Sequence, residues 1–569
     1  MTAPEGRKLR LIVLALVAGG LVLPILAGLW ETTRAAFGIL PAIGAVEWSL
    51  DSWRRLFALP GFGTSLTLTL WTGFASTALA LALAVGFAAV MYDRFGLKGG
   101  ARLLTPFLAT PHAALAIGLA FLIAPSGWIA RMISPWATGW DLPPDVATVN
   151  DPLGLALIFG LLVKEVPFFL LVILAALSQL PVRRHLSAGR ALGYGRGVVW
   201  IKVILPQLYP LIRLPVYVVL SFALSVVDMA IILGRSNPPV LSVAVTRWFL
   251  AADTTLILPA SAAALLQSGV VIAGIAAWFG AERLCARLGR IWIRRGGRGV
   301  SAEPGLMAAG GAVLILMALG ALALVSLLIW SLAWRWSFPN ALPESWSLKA
   351  WMQPAGGWGM ALNNTIVIGG ATTLLSVALA VAWLEGEDRA RLPRAGWAEA
   401  LIYLPLLVPQ IAFLYGLNVT FLRAGLSGGM VTVIWAQALF VFPYVMIALS
   451  DPWRALDPRL VRAAAALGAG PVRRLVAVKL PILLRPLMTA AAIGFAVSVA
   501  QYLPTLFMGS GRIATLTTEA VTLSSGSDRR VTGVYAVLQA VLPFAAYLAA
   551  LALPGFLHRH RAGLQGDAG

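Results

Sequence analysis

Two stretches with the same layout decide the fold of this chain. Residues 187–193 (SAGRALG) lead to Leu205-Pro206, and residues 462–468 (RAAAALG) lead to Leu480-Pro481. In each copy the proline follows the last glycine of the motif by 13 positions, and the copies lie 275 positions apart. The Ala-rich part favours a short helix with glycine at its C-terminal end, and Leu-Pro ends the basic stretch after it. Each copy lies in an Arg-rich gap between apolar runs, which predicts a segment outside the lipid.

The composition indicates a membrane protein. The chain has 569 residues, of which 59% are hydrophobic and only 12% are charged, and this balance excludes an ordinary soluble protein. Apolar runs of about 20 residues recur along the chain, and each is long enough to cross a bilayer as a helix. Lipid offers no water to unpaired backbone groups, so helices are the expected spanning form. The sequence predicts an all-α polytopic membrane protein.

The formal charge of +20 does not indicate a nucleic-acid partner. Most of the 43 lysines and arginines fall in alternate gaps between apolar runs, which is the positive-inside pattern of a membrane protein. This pattern predicts a bacterial inner (cytoplasmic) membrane protein with both termini in the cytoplasm. The single cysteine, Cys285, excludes an internal disulfide. We find no metal-ligand cluster and no catalytic motif, so we expect no enzymatic chemistry in the chain.

We predict about twelve transmembrane helices in two halves of six. The halves are residues 1–280 and 305–569, and a basic cytoplasmic linker at 281–304 joins them. The predicted spans lie near 11–29, 64–91, 103–124, 153–178, 208–234, 255–279, 306–332, 362–384, 399–422, 429–450, 486–508 and 532–557.

The two halves read as internal repeats. Residues 64–66 resemble residues 364–366 at an offset of 300, and Pro111 resembles Pro409 at an offset of 298. The smaller offset of 275 between the motif copies is explained if the second half shortens the loop at 125–152. Because six is an even number of spans, the two repeats have the same orientation in the membrane and are parallel.

The two motif copies resemble the cytoplasmic coupling motif of binding-protein-dependent ABC importer permeases, a Glu-Ala-Ala…Gly…Leu-Pro pattern. The whole chain resembles the fused type, in which both permease halves share one polypeptide, as in ferric-iron and thiamine importers. The resemblance implies a type I ABC importer permease fold. The usual glutamate is absent, however, because Ser187 and Arg462 stand in its place, and Gly189 replaces the second alanine.

The resemblance implies the partners as well. Two copies of an ABC ATPase subunit would dock on the motif copies, and a periplasmic solute-binding protein would deliver a small solute for inward transport. This chain has no Gly-x-x-x-x-Gly-Lys-Ser/Thr phosphate loop, so ATP and magnesium belong on the separate ATPase. The implied ATPase-coupling residues are Ser187, Ala188, Gly189, Leu192, Gly193, Leu205, Pro206, Arg462, Ala463, Ala464, Leu467, Gly468, Leu480 and Pro481.

Polar residues inside predicted spans are candidates for a translocation path. Lys164 and Glu165 interrupt the fourth span, and Asp228 lies in the fifth. Gln501 aligns with Asp228 at an offset of 273. Ionisable groups in lipid usually face a protein interior or water and are functional candidates by default. The alternative is that Lys164 and Glu165 only stabilise helix packing.

Two other functions remain open from the residues alone. Residues 92–98 (YDRFGLK) resemble the loop between spans two and three of major facilitator transporters, which are also twelve-span proteins with parallel halves. The second half lacks the glycine of that loop, and such a transporter needs only a short connection after span four. A membrane scaffold without transport activity is the third possibility, and the charged residues inside spans argue against it.

Overall fold

The computed structural model describes residues 3–92, 104, 107–294, 303–353, 357–390, 396–426, 428–526 and 528–557. Within these residues ten helices are long and apolar enough to cross a membrane, and two bent helix pairs raise the number to twelve. This confirms the all-α polytopic fold. We number the spans in chain order as span 1 Lys8–Ala36, span 2 Phe62–Met91, span 3 His112–Ile133, span 4 Leu155–Leu177, span 5 Arg196–Ser225, span 6 Thr254–Arg294, span 7 Glu303–Leu332, span 8 Trp358–Ala390, span 9 Gly396–Leu407 with Gln410–Arg423, span 10 Met430–Arg454, span 11 Pro471–Ile482 with Leu484–Ala500, and span 12 Arg529–Leu557.

Short elements connect the spans. Two small antiparallel hairpins pair β1 (Ile39–Leu40) with β2 (Ala45–Val46) and β3 (Ala333–Arg335) with β4 (Ser345–Trp346). The further helices of the described residues are Pro41–Ile43, Asp51–Ala58, Val182–Ala191, Asp228–Leu233, Leu241–Leu250, Pro458–Ala466, Leu503–Gly509 and Leu516–Ser524.

The fifth span of each predicted half is shorter at its end than the sequence indicated. Span 5 ends at Ser225 and span 11 ends at Ala500, and a new short helix begins a few residues later in each case. At the end of span 5, side chains form hydrogen bonds with the backbone carbonyls that have lost their helical partners. Gln267 Nε2 donates to the Leu224 carbonyl at 2.7 Å, and Ser242 Oγ donates to the Val226 carbonyl at 2.6 Å. A break inside a membrane helix is stable when neighbouring helices satisfy the backbone in this way.

Two other predicted boundaries also change. Span 3 begins at His112, directly after Thr110-Pro111, and it continues to Ile133, into the stretch predicted as a loop. Span 6 continues to Arg294, so the first part of the predicted linker 281–304 is helical. Residues 295–302 of that linker lie outside the described residues.

The described residues form two compact units. The first unit gathers the described parts of Met1–Glu31, Trp351–Thr522 and Tyr535–Gly569, and the second gathers Thr32–Ala350 and Leu523–Val534. The units differ from the predicted halves in three respects. Span 1 up to Glu31 belongs with the later spans, span 7 belongs with the earlier spans, and Leu523–Val534 also belongs with the earlier spans.

Small residues explain how these two helices pack inside their units. In the second unit, span 7 packs against span 2 and the start of span 3, where a Cβ added at Gly118 would lie 2.6 Å from the Ala323 carbonyl oxygen. In the first unit, a Cβ added at Gly28 of span 1 would lie 2.4 Å from the Phe413 carbonyl oxygen. Helix backbones in membranes approach this closely only where a small residue stands at the contact.

Equivalent hydrogen bonds establish the register of the internal repeat. The backbone N–H of Leu241 donates to Thr69 Oγ1 at 2.8 Å, and that of Leu516 donates to Thr365 Oγ1 at 2.9 Å. Thr69 is therefore the counterpart of Thr365, at an offset of 296. The predicted match of residues 64–66 with 364–366 was one helical turn out of register, because Ser and Thr recur at turn spacing on this helix face.

Candidate functional site

The two motif copies fold into the same local structure, and we call residues 182–206 the first repeat segment and residues 458–481 the second. Each begins with a short helix, Val182–Ala191 or Pro458–Ala466. A second helical stretch follows, beginning at Arg196 or Pro471, and it forms the first part of span 5 or span 11. The first segment lies in the second unit, and the second segment lies in the first unit.

Both short helices end in the same turn. Gly193 has φ +77° and Gly468 has φ +81°, a left-handed conformation in which glycine is the favoured residue. The N–H of each glycine donates three residues back, to Arg190 and Ala465, and the next N–H donates five residues back. This pair of bonds is a Schellman motif, which satisfies carbonyls that the helix end leaves free. The predicted glycine-ended helix is therefore correct in both copies.

The tip of each repeat segment is open to solvent. Leu192, directly before the first glycine, is 62% exposed, and its counterpart Leu467 is 88% exposed. The alanines on the same side, Ala188 and Ala463, are exposed as well. A surface of alanine, glycine and one protruding leucine allows a partner to approach the helix backbone closely.

The first repeat segment is packed more tightly against its unit than the second. Val182, Leu186 and Gly189 are buried, and a Cβ added at Gly189 would lie 2.3 Å from Val199 Cγ2. The helix Pro458–Ala466 has no buried residue. Gly189 therefore replaces the usual alanine for a local reason: Val199 occupies the space that an alanine methyl would need.

A carboxylate from span 6 anchors the base of the first repeat segment. Tyr209, three residues after Pro206, donates from its hydroxyl to Glu282 Oε1 at 2.6 Å. Trp278 Nε1 donates to the same tyrosine hydroxyl at 2.9 Å, and Arg213 Nε lies 3.0 Å from Glu282 Oε2. These contacts join span 5 to span 6 directly beneath the segment.

Carboxylates from span 8 anchor the second repeat segment through a different residue. Lys479, one residue before Leu480, has a side chain that is 6% exposed. Its Nζ lies 2.7 Å from Glu385 Oε2 and 2.5 Å from Asp388 Oδ2. Trp453 Nε1 donates to the same Asp388 oxygen at 2.9 Å, which brings span 10 into the cluster.

Glu387 adds a second contact with span 10 and extends this ion-pair cluster to span 1. Arg454 Nη2 of span 10 lies 3.1 Å from Glu387 Oε2, and Trp383 Nε1 donates to Oε1 at 2.9 Å. Arg10 of span 1 lies 3.7 Å from the same carboxylate and places its guanidinium 3.9 Å above the Trp383 ring centroid. We call Arg10, Glu385, Glu387, Asp388, Arg454 and Lys479 the ionic joint.

Neither anchor was predicted from the sequence. The counterpart of the major facilitator loop in the second half is residues 387–391 (EDRAR), and that resemblance did not indicate an ion-pair cluster. The matching residues 93–98 of the first half lie outside the described residues. The available signal was the concentration of acidic residues at 385–388, directly after a long apolar helix, together with a lysine before Leu480.

Lys164 forms hydrogen bonds with the backbone just before span 3. Its Nζ donates to the carbonyls of Phe107, Leu108 and Thr110, at 2.8, 3.1 and 2.5 Å. These carbonyls lie just before Pro111, the residue that precedes span 3. The ammonium therefore supplies hydrogen-bond donors to backbone carbonyls at the place where span 3 begins. The interpretation of Lys164 as a packing residue is thus the one that its contacts favour.

The other candidate path residues have different surroundings. Glu165 is 4% exposed, and neither of its carboxylate oxygens has a hydrogen-bond partner among the described residues. Asp228 begins the short helix after the break in span 5, is only partly buried, and interacts electrostatically with Lys164. Gln501 is 7% exposed and lies in the equivalent break, directly after Ala500.

Comparison with known proteins matches the chain to transport permeases. The family described as "Binding-protein-dependent transport system inner membrane component" matches residues 393–558. Over 499 residues the chain is 30% identical to the "Inner membrane ABC transporter permease protein YnjC" of Escherichia coli (strain K12), and the match covers 87% of this chain and 89% of that protein.

Shorter relatives match part of the chain. The "Molybdenum transport system permease protein ModB" of Azotobacter vinelandii is 29% identical over 26% of this chain and 72% of its own length. The "Spermidine/putrescine transport system permease protein PotC homolog" of Mycoplasma genitalium is 27% identical over 29% of this chain and 59% of its own length. Each is a permease.

Proposed function

This chain belongs to the permease family of binding-protein-dependent ABC transport systems, and on that premise we propose that it is the membrane subunit of an importer whose ATPase docks on the two repeat segments. The observation that carries the proposal is the pair of exposed tips, Leu192-Gly193 and Leu467-Gly468, with the same turn geometry. Two equivalent surfaces in one polypeptide suit two copies of one ATPase subunit.

The contacts of Tyr209 with Glu282 and of Lys479 with Glu385 would transmit a movement of the repeat segments to the neighbouring spans. A docked ATPase that closes on ATP would displace each repeat segment, and a segment fixed to its neighbours carries them along. The first segment is fixed to span 6 by the Tyr209–Glu282 bond, and the second is fixed to span 8 by Lys479. We expect ATP and magnesium to bind to the ATPase, whose closure switches the permease between its two facing states.

The same proposal sets the orientation of the chain. Segments that dock an intracellular ATPase face the cytoplasm, and an even number of spans then places both termini there as well. The concentration of Arg and Lys around the repeat segments supports this orientation through the positive-inside rule. A solute-binding protein would engage the opposite ends of the spans in a bacterial inner membrane.

For the translocation path we propose Asp228 and Glu165 of the second unit and Gln501 of the first unit. Asp228 and Gln501 each lie in or beside a helix break, where polar groups and irregular backbone occur only if protein or a water-filled cavity surrounds them. The positive charge of Lys164 would attract the Asp228 carboxylate, while its ammonium donates to the backbone carbonyls before Pro111. A small polar or charged solute suits these groups.

The direct test is gentle detergent purification of the full chain from its native membrane, followed by identification of the proteins that remain bound. We expect an ABC ATPase at about two copies per chain. Gly193→Trp and Gly468→Trp together should remove it, because a bulky side chain at a positive φ distorts the turn. Gly139→Trp is the matched control, since Gly139 likewise has a positive φ, of +69°, with open space around it, but lies outside the repeat segments.

Two results would contradict the proposal. One is normal recovery of the ATPase with the double glycine variant, which would show that docking does not use the repeat segments. The other is the absence of any ATPase together with solute uptake that a protonophore abolishes. That second result would favour the major facilitator alternative, which the similarity to ABC permeases does not favour.

A further inference from the structure

The second unit contains a cavity of about 510 Å³ at the end of span 7 that lies farthest from the first repeat segment. Glu303, at the start of span 7, accepts a hydrogen bond from the Arg196 N–H of that segment, whereas Trp330 lines the cavity near the other end. The two positions are 27 residues apart on one helix, so about 40 Å separates them. The cavity therefore belongs to a different part of the unit from the ATPase-docking surface.

Two arginines supply uncompensated positive charge to this cavity. Arg131 is 4% exposed, and its guanidinium lies 4.9 Å from the Trp336 ring centroid. Arg529 lies 5.0 Å from the Trp330 ring centroid and donates from Nη2 to Ser126 Oγ at 2.8 Å. In the part of the chain that the structure describes, neither guanidinium has a carboxylate within ion-pair distance.

The nearby acidic residues are already paired with other cations. Asp528 binds Arg530 at 2.9 Å, and this contact keeps the pKa of the Asp528 carboxyl below its usual range. Glu344 acts on Arg131 electrostatically, but its carboxylate lies 3.1 Å from Arg335 and accepts from Asn340 Nδ2 at 3.0 Å. Arg131 and Arg529 also repel one another. An anion between them would relieve this repulsion, and charges in such a site are normally paired.

Backbone contacts hold Arg131 in place without neutralising it. Its Nε donates to the Ser126 carbonyl at 3.0 Å and its Nη1 donates to the Ser337 carbonyl at 2.8 Å. Arg529 Nη1 also donates to the Ser126 carbonyl, at 3.2 Å. Because a guanidinium carries five N–H donors, both side chains retain donors for a ligand. The arginines are thus fixed in position before any ligand arrives.

We propose that this cavity binds a phosphate group together with the small organic group that carries it. A guanidinium forms strong charge-assisted hydrogen bonds with phosphate oxygens, and two of them line the cavity. Within the described residues Arg529 Nε makes no hydrogen bond, whereas Arg131 Nε and Nη1 already donate to backbone carbonyls and leave Nη2 for a ligand. The volume exceeds that of an inorganic phosphate ion, and tryptophans supply an apolar wall for the remainder of the ligand. A free phosphate ester and the head group of an anionic phospholipid both have this chemistry, and Trp is common where helices meet the lipid head groups.

The test uses the purified full chain and two probes. Isothermal titration with glycerol 3-phosphate examines the soluble source, and glycerol is the uncharged control. Native mass spectrometry after exposure to dioleoyl phosphatidylglycerol or dioleoyl phosphatidylcholine examines the lipid source. We expect one site per chain for glycerol 3-phosphate, for phosphatidylglycerol over phosphatidylcholine, or for both. A response to the first probe alone identifies a soluble ester, and a response to the lipid alone identifies a head-group site.

Arg529→Gln should weaken that binding about tenfold or more, because it removes a charged hydrogen-bonding partner. Arg54→Gln is the matched control, since Arg54 is 80% exposed and lies in the helix Asp51–Ala58 away from the cavity. If Arg529→Gln does not fold, Arg529→Lys keeps the charge, loses the fork and should bind several times more weakly. No saturable binding of either probe would overturn the proposal, as would binding that both Arg529 variants leave unchanged.

Discussion

Lys479 Nζ lies 2.7 Å from Glu385 Oε2, and both side chains are almost completely buried, at 6% and 5% exposure. This ion pair joins the second repeat segment to span 8. A buried charge that loses its partner is costly, whereas a buried pair replaced as a whole is often tolerated. The pair is therefore a joint whose two members depend on one another.

The pair predicts a specific pattern of stability. Lys479→Met should lower the unfolding free energy by on the order of 3 kcal/mol, because the buried carboxylate of Glu385 would lose a buried ion-pair partner and keep, among the described residues, only Arg389. The double variant Lys479→Met with Glu385→Gln should lose less than the sum of the single changes. Thermal unfolding of the purified variants measures this. Arg54→Met, in an exposed pair with Asp51, should stay within about 0.5 kcal/mol, and an equally small effect of Lys479→Met would refute the joint.

The turn glycines make a second prediction. Gly193→Val and Gly468→Val should each destabilise their turn by about 1–2 kcal/mol, because a β-branched residue is strained at positive φ. Gly193→Asn and Gly468→Asn should be milder, since asparagine tolerates this conformation better than other residues with a side chain. The readout is hydrogen exchange of residues 182–206 and 458–481, and equal protection in the Val and Asn variants would contradict the assigned turn.

Gly189 and Val199 make a third prediction. Gly189→Ala should destabilise the first repeat segment by about 1–3 kcal/mol, because its methyl would overlap Val199. Adding Val199→Ala removes the overlapping atoms and should restore part of the loss. In the second segment Ala464 already occupies the counterpart position, so Ala464→Gly should have a smaller effect of about 1 kcal/mol. Thermal unfolding of Gly189→Ala, Val199→Ala, their double variant and Ala464→Gly measures these effects, and additive losses in the double variant would count against the contact.

Substitutions at two adjacent residues of span 4, Lys164 and Glu165, should differ in their effect on stability. Lys164→Met should destabilise the second unit by about 2 kcal/mol or more, since three carbonyls before Pro111 lose their donor. Glu165→Gln breaks no hydrogen bond within the described residues, so we expect no loss of stability. Denaturation of both variants in the same detergent provides the comparison, and a larger loss for Glu165→Gln would reverse the assignment of roles.

Asp228 provides the functional prediction for the path. Asp228→Asn keeps the shape of the side chain and removes its charge, so uptake into reconstituted vesicles should fall while recovery of the ATPase stays normal. The uptake measurement uses the solute that the co-purified binding protein carries. Unchanged uptake would remove Asp228 from the path and leave it as a partner of Lys164.

Local patterns predicted the spans and the repeat segments because these depend on neighbouring residues. Hydrophobic length predicts a span, and the common spacing to Leu-Pro predicts paired turns at Gly193 and Gly468. The break after Ser225 depends instead on distant donors, such as Gln267, and no proline or glycine lies beside it. At the break after Ala500 a local signal was present, because Pro504 has no N–H to donate to the Ala500 carbonyl and opens the next helix. The ionic joint likewise unites residues far apart in sequence, from Arg10 to Lys479, so the sequence alone could not pair them.

The most direct test of the central claim is site-specific cross-linking between the repeat segments and the ATPase. The background is Cys285→Ser, which removes the single cysteine, and one new cysteine is placed at Leu192 or Leu467. Leu142→Cys is the control, since Leu142 is 78% exposed but lies outside both segments. We predict that Leu192→Cys and Leu467→Cys each form an adduct with the same ATPase subunit and that Leu142→Cys does not. An adduct yield at both positions no higher than at the control would contradict docking on the repeat segments.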